Sequence, residues 1–147
     1  MAAQTMIDFT RWLWLWRGPK RLDFISIGYP VVYEAVTRAC PKHFITDSAY
    51  KTVGYLDIEP MFQANTGKFM KYRENEYDCD DFARTASATL HILFGNVAVG
   101  EAAVALDSGG NHMLNFVVTR DGEIVYVEPQ TNKIVTRVDF KPYFMII

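Results

Sequence analysis

The octapeptide EYDCDDFA, Glu76 to Ala83, sets one cysteine among four carboxylates. Acids around a thiol oppose the thiolate, the form that does chemistry, so the stretch first asks to be read structurally. Asp78 is a good N-cap, and Asp80 and Asp81 suit the positive end of a helix dipole. Phe82, Ala86, Leu90 and Leu93 then recur at helical spacing until Gly95 stops the run. The pattern predicts a helix with Cys79 in its first turn.

Downstream of Gly95 the period changes from helix to strand. NVAVGEAAVAL reads as a strand, SGGN as a turn, and HMLNFVVTR as a second strand closed by a tight hairpin turn at Asp121-Gly122. EIVYVEPQ is the return strand and KIVTRVDF a further short one. An antiparallel sheet behind the helix is an α+β arrangement. Upstream, PVVYEAVTRAC reads as a helix with Pro30 in its first turn, Val31, Ala35 and Val36 inward, and Pro41 ending it. A short helix is expected near Ile58 to Ala64, stopped by the turn Asn65-Thr66-Gly67. We expect one domain over 1–147, with a helical or mixed part over 1–77 and the helix and sheet over 78–147.

Composition narrows the classes. A chain of 147 residues, half of them hydrophobic, suffices for one sizeable core. A formal net charge of -2 and no basic block argue against nucleic acid. Cys40 and Cys79 alone make no disulfide framework. The greasy stretch FTRWLWLW, Phe9 to Trp16, is interrupted by Arg11 and is too short for a membrane span, which needs about 20 apolar residues. Without a signal peptide or a span, a cytoplasmic location is the default expectation. Trp12, Trp14 and Trp16 belong either to an aromatic-rich core element or to a self-association patch, which would make a homodimer.

Three reactive side chains stand in the order Cys79, His112, Glu128. A hairpin about Asp121-Gly122 pairs residues whose numbers sum to roughly 243, so that Met113 to Asn115 lie opposite Glu128 to Gln130 and His112 and Glu128 share one end of the sheet. A carboxylate there can orient the imidazole, and the imidazole can deprotonate Cys79 if the helix starts at that end. The bland readings are a small core cysteine, a loop-edge histidine and a strand-end charge. Helix-Cys, strand-His, strand-acid is nevertheless the chain order of papain-like thiol enzymes.

The string YDCDDFA, the strand Gly-Gly-Asn-His-Met-Leu-Asn-Phe and the later Tyr-Val-Glu-Pro-Gln together resemble the papain-like C-terminal domain of the Marasmius oreades agglutinin family, over roughly Asp78 to Val135. The resemblance implies a papain-like fold and a calcium-dependent cysteine protease acting on a peptide or protein, with Cys79 as nucleophile, His112 as base and Glu128 as third member. Asp80, Asp81, Asn115 and Gln130 match the positions from which calcium ligands would be drawn, and the sugar-binding trefoil of that family is missing. A cation held by Asp80, Asp81 and Gln130 would reverse the field at the thiol, and oxygen ligands favour calcium or manganese over zinc. Asn115, three residues from His112, falls on the opposite strand face and ranks below the others. For an oxyanion donor the chain offers Gln63, sixteen residues before Cys79, and Asn75, four before it. The competing functions are a catalytically inactive binding or assembly protein, and a thiol acyltransferase or cell-wall amidase.

Overall fold

The computed structural model describes residues 22–136 and 138–147. In chain order these form β1 (Ile25–Gly28), α1 (Tyr29–Ala39), β2 (His43–Phe44), β3 (Ala49–Thr52), α2 (Tyr55–Phe62), a 3-10 turn (Thr66–Phe69), α3 (Cys79–Phe94), β4 (Val99–Leu106), β5 (Asn111–Val118), β6 (Ile124–Glu128), β7 (Lys133–Ile134) and β8 (Phe140–Ile146). The Trp-rich stretch, with the homodimer expected through it, lies outside the described residues.

A six-stranded sheet in the order β2-β8-β4-β5-β6-β7 dominates the molecule, and β1 and β3 make a separate antiparallel pair. The sheet is mixed, because β2 runs parallel to β8. This corrects the expected fold class. In place of a papain-like α+β domain, with N-terminal helices and a nucleophile helix on an antiparallel sheet, the described residues give a mostly β structure with three short helices. Much of the strand content lies where no strand was read: β1, β2 and β3 upstream of α3, and β8 at the far end.

Alternation along the strands divides the core in two. Ala102, Val104, Leu114, Phe116 and Val118 pack on one face with Val32, Ala35 and Val36 of α1. Val99, Val117 and Val127 pack on the other with Ala86 and Leu90 of α3 and Ile58, Met61 and Phe62 of α2. In α1 the inward residues are Val32, Ala35 and Val36, so the stripe starts one residue later than the expected Val31. The α2 helix begins three residues before the expected Ile58 because Gly54 leads directly into Tyr55. In α3 the forecast boundaries are met: Asp78 and Asp81 form a capping box, and Gly95 closes the helix at φ 79°.

Gly100 permits the closest approach inside the sheet. It stands opposite Phe116 in the β4–β5 register, and a Cβ there would overlap the Ile146 carbonyl oxygen of β8 and come within 2.5 Å of the Phe116 ring. The backbone atom cannot yield, so Gly100→Ala should force β4 and β8 apart. The expected loss is about 1–3 kcal/mol or more in urea unfolding; an unchanged midpoint would show that the strands open freely at this point.

Candidate functional site

The β5–β6 hairpin sets the geometry of the polar cluster. Its register pairs Asn115 with Val127 and Phe116 with Tyr126, a sum of 242 rather than the expected 243. The difference is consequential, since a slip of one residue exchanges strand faces. With this register His112 and Glu128 lie diagonally on the same face, and His112 Nε2 meets Glu128 Oε2 at 2.7 Å. The side chains are 23% and 25% exposed, so the pair is shielded without being sealed. Glu128 Oε1 accepts the Gln130 backbone N–H at 3.1 Å, which commits both carboxylate oxygens.

Cys79 opens α3, and its sulfur lies against the backbone N–H of Met113, the neighbour of His112 in β5. Among the described residues no hydrogen bond joins the Cys79 thiol to His112. Desolvation pushes the thiol above its ordinary range, the Asp78 and Asp80 carboxylates push it further, and the Met113 and Cys79 backbone amides offset part of the rise. The group is a half-buried, free thiol.

Of the expected metal ligands, Asp80 and Asp81 join Asp78 in a set whose ligand oxygens lie within 4.8 Å of one another. Hard oxygen donors at that spacing fit calcium or manganese. The same groups also serve the helix: the Asp78 N–H donates to Asp81 Oδ2 at 3.4 Å, and Arg84 reaches Asp80 at 3.3 Å and Asp81 at 3.5 Å. Asn115 is fully buried and donates to the Ala83 carbonyl at 2.9 Å and the Gly100 carbonyl at 3.1 Å. Gln130 contributes a backbone bond to Glu128. The two oxyanion candidates stand apart from the thiol in their bonding. Gln63 accepts from Lys68 at 2.9 Å, and Asn75, at φ 59°, donates its backbone N–H to Asp78 Oδ2 at 3.2 Å.

Sequence reasoning passed over Asn65, which it read only as part of a turn. Its fully buried side chain donates to the Pro129 carbonyl at 3.1 Å and to Asn132 Oδ1 at 2.8 Å, and accepts the Gly67 N–H at 2.8 Å. It therefore holds the loop that follows Glu128. The signal lies in contacts 64 and 67 residues away, which no local pattern carries.

No family model matches the chain, nor does any curated protein at a significant level. Two solved structures resemble it at 24% identity: the complex of PSL1a with E64, with a TM-score of 0.71, and Polyporus squamosus lectin bound to the human-type influenza-binding epitope Neu5Aca2-6Galb1-4GlcNAc, with a TM-score of 0.68. Each likeness covers 83% of this chain but only 51% and 49% of the other, so the chain spans about half the length of the proteins it matches. At this identity the likeness shows the fold. The architecture is that of structures named for a lectin, and this overturns the resemblance to a papain-like protease domain together with the calcium-dependent cysteine-protease function, the hydrolase class and the peptide substrate drawn from it. Of what that resemblance implied, only an agglutinin-like character is compatible with a lectin neighbour. No helix among the described residues is long and apolar enough to cross a membrane.

Asn65→Ala should leave the Pro129 carbonyl, Asn132 Oδ1 and the Gly67 N–H buried without partners, at a cost of about 1–3 kcal/mol for each group not rescued by water. Urea unfolding should show a loss of at least about 2 kcal/mol, with the His112–Glu128 contact loosened in NMR spectra. A loss below about 0.5 kcal/mol would mean that the loop holds itself.

Proposed function

We propose that the chain is a catalytically inactive binding or assembly domain. The observation that carries this reading is the state of the thiol: desolvation and two neighbouring carboxylates favour its neutral form, and among the described residues no hydrogen bond joins it to His112, whose Nε2 is bonded to Glu128. A nucleophile needs the reverse, a depressed pKa and an adjacent base. The surface nearby suits contact instead. Tyr72, whose hydroxyl is pushed upward first by desolvation and then by Asp78 and Cys79, is 49% exposed, as is Met70, and Phe69 is 80% exposed. Exposed aromatic rings beside polar groups are common where proteins meet ligands or partners.

The glycan named for the Polyporus squamosus lectin supplies the first class of partner to try. Titration of that trisaccharide into the protein should give a saturable heat if the domain itself recognises carbohydrate; no heat would direct the assembly reading toward a protein partner. For the inactive-site claim, iodoacetamide should label Cys79 no faster than free cysteine at neutral pH. The rate should rise only above the ordinary thiol pKa of about 8.5 and be unchanged by His112→Ala. Rapid labelling at pH 7 that is lost in His112→Ala would overturn the reading.

The oxygen cluster at the start of α3 supports a second element of the proposal, a divalent cation held by Asp78, Asp80 and Asp81. Millimolar calcium or manganese should then raise the melting temperature relative to chelator, because a ligand that binds only the folded state stabilises it. Asp80→Asn should reduce the shift. Equal melting temperatures in all conditions would leave the acids as helix caps and Arg84 partners.

A further inference from the structure

A cavity of about 290 Å³ lies between α3, the start of β4 and the end of β8. Arg84, Ser87, Ala88 and His91 line it at helical spacing, and Val99, Glu101 and Ile146 line it from the sheet. Glu101 is out of pattern. Alternation puts it with Val99 on the face that packs against α3, where an apolar side chain is expected. Its carboxylate is half-buried there, and among the described residues no hydrogen bond or ion pair satisfies it.

His91 Nε2 contacts the Val99 carbonyl at 3.1 Å, and a carbonyl can only accept, so Nε2 carries a proton and donates it there. Ser87 adds a hydroxyl. Arg84, the one fixed cation at the rim, is already paired with Asp80 and Asp81. The cavity thus offers the Glu101 carboxylate, the His91 ring and the hydroxyls of Ser87 and Thr46, between the apolar walls of Val99 and Ile146. An anion would meet Glu101, whereas an ammonium group brings three donors and the positive charge that the unpartnered carboxylate lacks.

We propose that this cavity is a binding site for a primary alkylammonium group, with Glu101 as the anchoring acceptor and Ser87 and His91 beside it. The site borders the aspartates at the start of α3 through Arg84, which lines the cavity and pairs with Asp80 and Asp81, but it uses none of Cys79, His112 and Glu128 and does not depend on the function proposed for them. Burial pushes the Glu101 carboxyl above its ordinary range, against the opposing pull of Arg84 and His91, so an incoming cation meets a carboxylate whose charged form is poorly stabilised in the empty site.

The test is NMR titration of the whole chain with butylammonium chloride, and with butanol as its neutral counterpart. Butylammonium should shift the Ser87, His91 and Glu101 amide signals saturably in the millimolar range, and butanol should bind at least about tenfold more weakly, the equivalent of about 1.4 kcal/mol. Glu101→Gln should reduce butylammonium affinity by about tenfold or more, and Ala88→Phe, which narrows the mouth from an exposed helix position, should reduce it too. Titration with Nα-acetyl-lysine methylamide and with putrescine then assigns the source, since the tighter of the two distinguishes a lysine side chain from a free polyamine. Butanol binding as tightly as butylammonium, or no saturable shift in the unaltered protein, would overturn the proposal even if Glu101→Gln failed to fold. An unchanged affinity in folded Glu101→Gln would do the same.

Discussion

The placement of α3 depends on one buried amide. Asn115 sits in the middle of β5 with no exposure, and its side-chain N–H groups reach the Ala83 carbonyl in the first turns of α3 and the Gly100 carbonyl in β4. Helix and sheet are thereby joined at a fixed height, next to the end of α3 that bears Cys79. Apolar packing on Val99, Val117 and Leu90 is non-directional and would allow α3 to slide. A hydrogen-bonded amide does not, because withdrawing it would leave buried polar groups without partners. The Asn115 Oδ1 atom is buried and unpartnered, so the clamp holds at some internal cost.

From that fixed height the rest of the polar arrangement follows. The α3 N-terminus projects its three aspartates beside the strand end, the β5–β6 register brings Glu128 onto the His112 ring, and Asn65 secures the loop beyond. Each contact is made by groups that satisfy one another. The thiol is the exception, set near backbone amides and carboxylates with no base bonded to it among the described residues. A site organised in this way supports recognition better than nucleophilic attack.

Part of this was legible in the sequence. The helix from Cys79 to Phe94 declared itself through its Asp78 cap, its apolar stripe and Gly95, and the β5–β6 hairpin through Asp121-Gly122 and alternation. The pairing of His112 with Glu128 followed from the hairpin alone. The β8 strand did not show itself, because FKPYFMI carries Lys141 and Pro142 in its interior. Proline is tolerated there because the β4–β8 register shifts between Ala103 and Val104, a long-range irregularity. The two residues of β2 are too few for any periodicity, and their pairing with β8 spans about a hundred positions. At the site, chain order put Cys79, His112 and Glu128 in a familiar sequence; the hairpin carried the His112–Glu128 contact, whereas the place of Cys79 beside the Met113 backbone depends on how α3 packs, which no local pattern shows.

The central claim is that Cys79 is neutral at physiological pH. Its most direct test is the difference in ultraviolet absorbance near the thiolate band between the unaltered protein and Cys79→Ala, followed as pH is raised. With divalent cations removed by chelator, the account predicts no thiolate signal at pH 7 and an onset above the range of an ordinary cysteine, as desolvation and the Asp78 and Asp80 charges require. A thiolate band already present at pH 7, and removed by His112→Ala, would contradict it.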